Sequence, residues 1–496
     1  MTPIARLKRG QKGGSIRAAS WGSSGDFLLQ YLFSPPLLQE YGYARQRVCP
    51  KAIDRGGGSA GFEKIHLARD LGFLAVENSR KRLRLEQQFG ADERGRRQEQ
   101  KSVSDGAKRM SQEPYSLRRI FHPIGQGAFY SETHRIGDGP TTTVVYDCGS
   151  KTSKTKIKES IDENLHDNRV TILFISHFHS DHCNGIKFLN PKYIVLPMLS
   201  EYEKLLLWIE NTLNESELDM NYERTLRDRF PESRFIYVRE INDEEEVEGE
   251  PLNLEDFLGE YIASGTPLQI GRTSSWDYIP INPKLDSALI EEFKQRLVEK
   301  EIDYARLCAF DYAYFNTCKE ELQKIYREIR SPNEYSMAVY SGPGIPYHDF
   351  WERTLRYWNE SCLSFTHIGR YPQRGNGPFC GCLYLGDMNL KEGGNTKSKI
   401  LKKIYSLLPD TVFDCLSTIQ VPHHGSFENF NNALLSWYDK SRDSWKPWYG
   451  PMLYVISAGD PNQYHHPSPR VLEKLINHHI VTQHPESRLI ESFRFF

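Results

Sequence analysis

Residues Val170–Ile186 read VTILFISHFHSDHCNGI, an apolar strand that runs straight into His177-Phe178-His179-Ser180-Asp181-His182. At a strand end, side chains alternate, so His177 and His179 project the same way, while the turn that follows brings Asp181 and His182 back toward them. Imidazole and carboxylate donors fit zinc, manganese or iron. A set this dense exceeds what one closed structural site uses and points to two adjacent divalent ions. A lone histidine at a strand end is usually an ordinary polar residue, but HxHxDH after an apolar strand reads as a metal site.

The strand belongs to a longer pattern. Short runs rich in β-branched and aromatic residues predict strands at Thr141–Tyr146, Val170–Ile175, Tyr193–Leu196, Phe235–Val238, Ser336–Ser341, Cys382–Leu385, Thr418–Val421 and Leu453–Ser457. Helical spacing appears over Glu201–Leu213, in Leu289, Phe293 and Leu297, and in Cys318, Leu322, Ile325 and Ile329. The body, 114–496, is therefore α/β. Within it the stretch 200–330 reads as an insertion or cap over the sheet's end, with an acidic run at Asp243–Glu250 read as a solvated loop.

Ahead of the body, residues 1–113 carry 21 Lys+Arg against 12 Asp+Glu, net +9, whereas the remainder nets -11. Glycine clusters, Pro35-Pro36 and an arginine run between Arg80 and Arg97 leave little periodicity there, so the segment reads as a basic, unfolded extension, with a nucleic-acid-binding arm as the alternative. The 496-residue chain is 39% hydrophobic, enough for a sizeable core, and its overall charge of -2 names no partner. Nine cysteines without a CxxC pair indicate a reduced, cytoplasmic protein, and no apolar stretch reaches the ~20 residues of a membrane span.

The HxHxDH element resembles the defining signature of the metallo-β-lactamase-fold hydrolases, and further marks follow in order from about Ile120 to Ile476. TTTVVYDCGS ends in Asp147-Cys148-Gly149, similar to the family's early strand and DxG turn that buttresses the metal loop. CLYLGDMN places Asp387 where such enzymes have the aspartate that bridges two metals, and IQVPHHGS offers His423 and His424, one of which matches the late histidine ligand. The HHGS element and the later N-x-Y-x-HP segment (Asn462, Tyr464, His466, Pro467) resemble one branch, the hydrolase domain of the competence protein ComEC and its free-standing relatives. The isolated third histidine of the superfamily has no clear counterpart, only His348 and His367 without a strand-end setting. The resemblance implies a four-layer αββα sandwich and two divalent ions, zinc first and manganese second, held by His177, His179, Asp181, His182, Asp387 and His423 or His424.

In such a site a carboxylate with two oxygens suits Asp387 to the bridge, and Asp181 to a terminal ligand that orients the attacking water. His466 either donates a proton or hydrogen bond to the reacting oxygens or is a loop histidine held by the backbone. Ser426 and Asn462 are candidates for substrate or supporting hydrogen bonds. Phosphodiester hydrolysis, on nucleic acid or a nucleotide, is the first expectation. A small ester, thioester, lactone or phosphocholine-type substrate is the second, and a catalytically idle metal-binding subunit of a larger assembly, for example in defence, is the third. Other features carry less: Gly125 and Gly127 read as a strand turn, Lys151, Lys154, Lys156 and Lys158 as a solvated face or phosphate contacts, Cys380 and Cys382 as interior residues, and Trp276 and Tyr278 as core.

Overall fold

The computed structural model describes residues 114–495, except 214–221, 243–249, 271–275, 284–286, 329–335, 344–349, 359–363, 373–379, 392–397, 410–411, 413–414, 436–451, 462 and 476. The proposed basic extension, 1–113, and most of the acidic run lie outside the described residues. All described residues fall in one compact unit, Lys108–Phe496. Among them no helix is long and apolar enough to cross a membrane.

The strands in chain order are β1 (Tyr115–Phe121), β2 (Gly127–Ile136), β3 (Thr141–Ser150), β4 (Arg169–Phe174), β5 (Asn190–Pro197), β6 (Arg234–Val238), β7 (Leu252–Asn253), β8 (Tyr261–Ile262), β9 (Leu268–Gln269), β10 (Trp276–Ile281), β11 (Ala338–Pro343), β12 (Phe350–Trp358), β13 (Ser364–Pro372), β14 (Gly381–Tyr384), β15 (Leu416–Gln420), β16 (Leu453–Ser457), β17 (His478–Val481) and β18 (Leu489–Phe495). The helices are α1 (Lys154–Asn164), α2 (Ser180–Cys183), α3 (Glu201–Leu213), α4 (Tyr222–Arg229), α5 (Ser287–Glu299), α6 (Tyr304–Cys308), α7 (Tyr312–Glu328), α8 (Lys399–Leu407) and α9 (Pro469–Leu472). One sheet has the order β13-β12-β18-β1-β2-β3-β4-β5-β6-β8 and the other β17-β16-β15-β14-β11-β10-β9-β7. The stretch 200–330 supplies α3 to α7 and also β6 to β10, which join both sheets.

Period-two alternation sorts the apolar residues into three layers. Val144 and Tyr146 of β3, Ile172 and Phe174 of β4, and Tyr193 and Val195 of β5 face inward to meet Cys382 and Tyr384 of β14 and Leu453 and Val455 of β16. Their neighbours Val145, Leu173, Ile194 and Leu196 face outward, covered by Ile157 and Ile161 of α1 and Leu226 of α4. On the second sheet, Leu383, Ile419, Tyr454 and Ile456 turn outward against α3, α5, α7 and α8 through Leu205, Ile209, Phe293, Phe315, Leu322 and Ile404. Helix, sheet, sheet, helix is thus the order of layers, a metallo-β-lactamase αββα sandwich. Each buried Leu, Ile or Phe in these layers contributes roughly 1.5–3 kcal/mol.

The inner layer also holds charge. Arg119 of β1 is fully buried and donates from Nε to Glu132 Oε1 (2.7 Å), from Nη1 to Glu491 Oε2 (2.9 Å) and from Nη2 to the Cys380 carbonyl (3.1 Å). Glu132 accepts from the Tyr278 and Tyr384 hydroxyls and from Ser341 Oγ, and Glu491 accepts from Thr418 Oγ1. Burial alone would raise the Glu132 carboxyl, but Arg119, His134 and Ser341 together outweigh it and hold it far below the usual range. Strands of both sheets are therefore tied by one satisfied polar network. Trp276 and Tyr278 lie in this inner layer, as do Cys380 and Cys382.

Candidate metal centre

In the first sheet β3 to β6 run parallel, and in the second β14 to β17 do, so the loops after their C-terminal ends carry the polar residues. Three residues before the end of β3 stands Asp147, a left-handed residue (φ 54°), whose carboxylate accepts from the Ser176 N–H (2.7 Å) and Ser176 Oγ (2.6 Å). That pins the start of the His177–His182 turn. Gly149 permits the same close approach, since a Cβ there would meet the Asp181 carbonyl carbon at 2.5 Å. β14 leads into Gly386 (φ 54°), where a Cβ would strike Ser336 Cβ at 2.7 Å, so glycine is required to turn the chain into Asp387. Gln420 fixes this turn: its Oε1 accepts from the Leu385 and Gly386 N–H groups, and its Nε2 donates to the Gly386 and Val421 carbonyls.

These turns gather two groups of possible ligands, Asp181 with His182, Asp387 and His424, and His177 with His179 and Asp387, each within 4.8 Å of one another. Asp387 belongs to both. Its Oδ1 lies 3.1 Å from His182 Nε2 and 3.8 Å from His424 Nε2, and its Oδ2 lies 3.8 Å from His177 Nε2. Asp181 Oδ2 lies 3.5 Å from His424 Nε2.

Ring orientation is fixed from outside the cluster. His182 Nδ1 lies 2.8 Å from Asp147 Oδ2 and His424 Nδ1 lies 2.9 Å from the Ser457 carbonyl, acceptors that hold the proton on Nδ1 and leave Nε2 bare. His177 Nδ1 contacts Ser176 Oγ (2.9 Å) and Ser336 Oγ (3.1 Å), and Ser336 Oγ also accepts the Asp387 N–H (2.8 Å).

The result is a knot of buried atoms without hydrogen bonds: Nε2 of His177, His179, His182 and His424, and Oδ1 of Asp181 and Asp387. Left unmatched, each would cost about 1–3 kcal/mol. Ligands around one cation with bonds of about 2.0–2.2 Å sit roughly 3–4 Å apart, the spacing seen here, so the donor set fits divalent cations. Electrostatics agrees. Burial opposes charge on Asp387 and Asp181, yet the neighbouring histidines, with Lys151 beside Asp181, hold both carboxyls well below their usual range. Burial would lower His182, but Asp387 and Asp147 outweigh it and raise its proton affinity. The field that favours a proton at His182 Nε2 favours a metal cation there equally.

Among the expected site residues, the structure brings together His177, His179, Asp181, His182, Asp387 and His424, with Asp147 behind them. His423 stands at the rim, a third exposed, with Nε2 4.0 Å from Asp387 Oδ2. His466 lies further out, its ring 5.9 Å from His423 and stacked on Tyr464 at 6.3 Å. Ser426 is buried, its N–H closing the turn onto the His423 carbonyl. Asn462 and His348 lie outside the described residues. His367 is on β13, at the edge of the ten-stranded sheet and away from β3 and β4. Of the lysine run, Lys151 reaches the centre, its Nζ 3.2 Å from Asp181 Oδ2, while Lys156 pairs with Glu159 on α1.

Sequence reasoning missed Gln420, Ser176, Ser336 and Ser457. A serine or glutamine at a strand end carries no pattern, and only pairing between β14 and β15 shows what Gln420 holds.

Residues 133–260 match the family model of the metallo-beta-lactamase superfamily, whose members are in general hydrolytic metalloenzymes. The matched segment holds Asp147 and His177 to His182, and the fold brings Asp387 and His424 to it from beyond. No curated protein matches the chain.

Proposed function

We propose that the chain is a dinuclear metal-dependent hydrolase that cleaves phosphodiesters in nucleic acid or a nucleotide, using zinc or, second, manganese. One observation carries the reading: a single carboxylate, Asp387, is shared by two groups of buried histidines. When bound, a cation pair supplies Lewis acidity and lowers the pKa of water toward neutrality. Asp181, kept ionised between His424 and Lys151, orients the attacking water. Lys151 Nζ also sits 5.5 Å from the Tyr464 ring, so a cation and a partly exposed aromatic face flank the mouth, as suits a phosphate and its base. The HHGS and HP elements of the ComEC-like branch point to the same chemistry.

If His466 acts at the reacting oxygens, its charge favours a hydrogen bond over a proton transfer. Burial, with His423 and His424 nearby, pulls its pKa down to about 4, so the ring is neutral at pH 7 and offers one N–H to the developing oxyanion rather than a ready proton. His466→Ala is expected to lower kcat by roughly 10²-fold. Metal content should not change, nor should the shape of the pH–rate profile above pH 5. Steady-state kinetics with metal analysis checks both.

The substrate class is tested by offering the full chain single-stranded DNA, double-stranded DNA and RNA, with and without added manganese or zinc, beside His179→Ala. Cation-dependent cleavage absent from the variant supports the proposal. Metal-loaded protein that leaves all three intact but hydrolyses esters, thioesters, lactones or phosphocholine would replace it with the small-ester reading, to which the net charge of -11 after residue 113 is suited. Loaded protein inert toward every substrate would leave the idle subunit.

A further inference from the structure

The histidines of the centre share a plan, one ring nitrogen toward the cluster and the other against a fixed partner. His182 has Asp147, His424 has the Ser457 carbonyl, and His177 has Ser176 and Ser336. His179 belongs to the smaller group, which has three members against four in the other, and its partner comes from an unexpected place. Glu210 of α3 sets Oε1 2.9 Å from His179 Nε2, with both side chains 12% exposed.

The position of this carboxylate is unusual for its helix. α3 packs Leu205, Leu206, Trp208 and Ile209 into the outer apolar layer, and Glu210 follows directly on that buried face. A carboxylate placed there is costly unless it is matched. Tyr326 gives it one hydrogen bond, its ion-pair partner is His179, and its second oxygen is buried without a hydrogen bond. Helix-face packing alone would be served as well by an apolar residue. Ligating histidines, in contrast, regularly keep a carboxylate on the ring nitrogen that does not bind the cation.

We propose that Glu210 is the positioning carboxylate of the first cation's subsite, acting on a divalent cation through His179, as Asp147 acts through His182. Its Oε1 stands 2.9 Å from Nε2 as an ion-pair contact, with no hydrogen bond made in this structure; with a cation bound, Nε2 would turn its proton to Glu210 and Nδ1 would be the ligating nitrogen of His179. The assignment rests on the two-cation reading of the centre. It also makes α3, from the 200–330 stretch, part of the metal site.

Titration of the full chain with Mn2+ alone tests it, with affinities resolved for the tighter and weaker equivalents. In Glu210→Gln, one equivalent is expected to weaken by about 10–100-fold while the other stays unchanged. Glu210→Leu, which suits the apolar surroundings and keeps the test open if the glutamine variant folds poorly, should weaken the same equivalent further. Asp147→Asn should weaken the opposite one. Thermal unfolding of the metal-free variants, unchanged from wild type, separates this loss from general damage. Two wild-type equivalents retained at full affinity in both Glu210 variants would overturn the role of Glu210 and leave the metal centre standing. A wild type that binds neither Mn2+ nor, in a parallel titration, Zn2+ would overturn the centre and the proposal together.

Discussion

Asp387→Asn is expected to lower kcat by about 10³-fold or more and to cost at least one equivalent of bound metal, with the fold retained. The size of the effect follows from sharing. Removing His177 or His424 takes one donor from one group, whereas Asp387 faces His182 and His424 through Oδ1 and His177 through Oδ2. Asparagine keeps the shape and the backbone N–H bond to Ser336 Oγ, but it has one acceptor oxygen and no charge. Burial of three histidines around an uncharged amide then lacks the counter-charge that two cations need. Metal analysis with circular dichroism and kinetics decides it. A variant with full metal content and wild-type rate would remove Asp387 from the bridging position.

The largest expected loss of stability lies away from the chemistry. Arg119→Met should destabilise the protein by about 3–5 kcal/mol, read from the urea midpoint, because it leaves Glu132 and Glu491 buried without their cation. Glu132 is held below its ordinary pKa in the folded wild type, so its contribution is present above that ordinary value and is lost as pH falls toward the folded one. In the variant Arg119's part of the depression is gone, so the deficit against wild type should be greatest near neutrality and shrink toward pH 4 as the glutamates take up protons. Adding Glu132→Gln and Glu491→Gln to Arg119→Met should recover part of the loss. Equal stability of Arg119→Met and wild type at pH 7 would show that the network does not hold the sheets together.

The same network explains what could be read in the chain and what could not. β3, β4, β5, β14, β15 and β16 were legible because inward and outward positions are both apolar, as expected of parallel strands buried on two faces. β1, β2 and β18 were not, since they carry Arg119, Glu132 and His134, and Glu491 at inward positions, which cancels the contrast that marks a strand. A charge that a pattern assigns to solvent is here a cross-link between sheets.

The centre shows a similar division. His177, His179, Asp181 and His182 are adjacent in sequence, and the chemistry is legible in one turn. Asp387 and His424 lie more than two hundred residues away and entered through resemblance to a motif, while His423 and His424 are separated only by their backbone setting, which buries one and leaves the other at the rim. Glu210 could not be found at all, because a glutamate in an amphipathic helix reads as a solvated residue until tertiary packing turns it toward His179.

The central claim, that this buried cluster is a two-cation centre, is tested most directly by anomalous diffraction from crystals of the full chain grown with zinc or manganese. Two peaks about 3.5–4 Å apart are expected, one among Asp181, His182 and His424, the other beside His177 and His179, with Asp387 between them. A single peak bound without Asp387, or none at saturating cation, would contradict it.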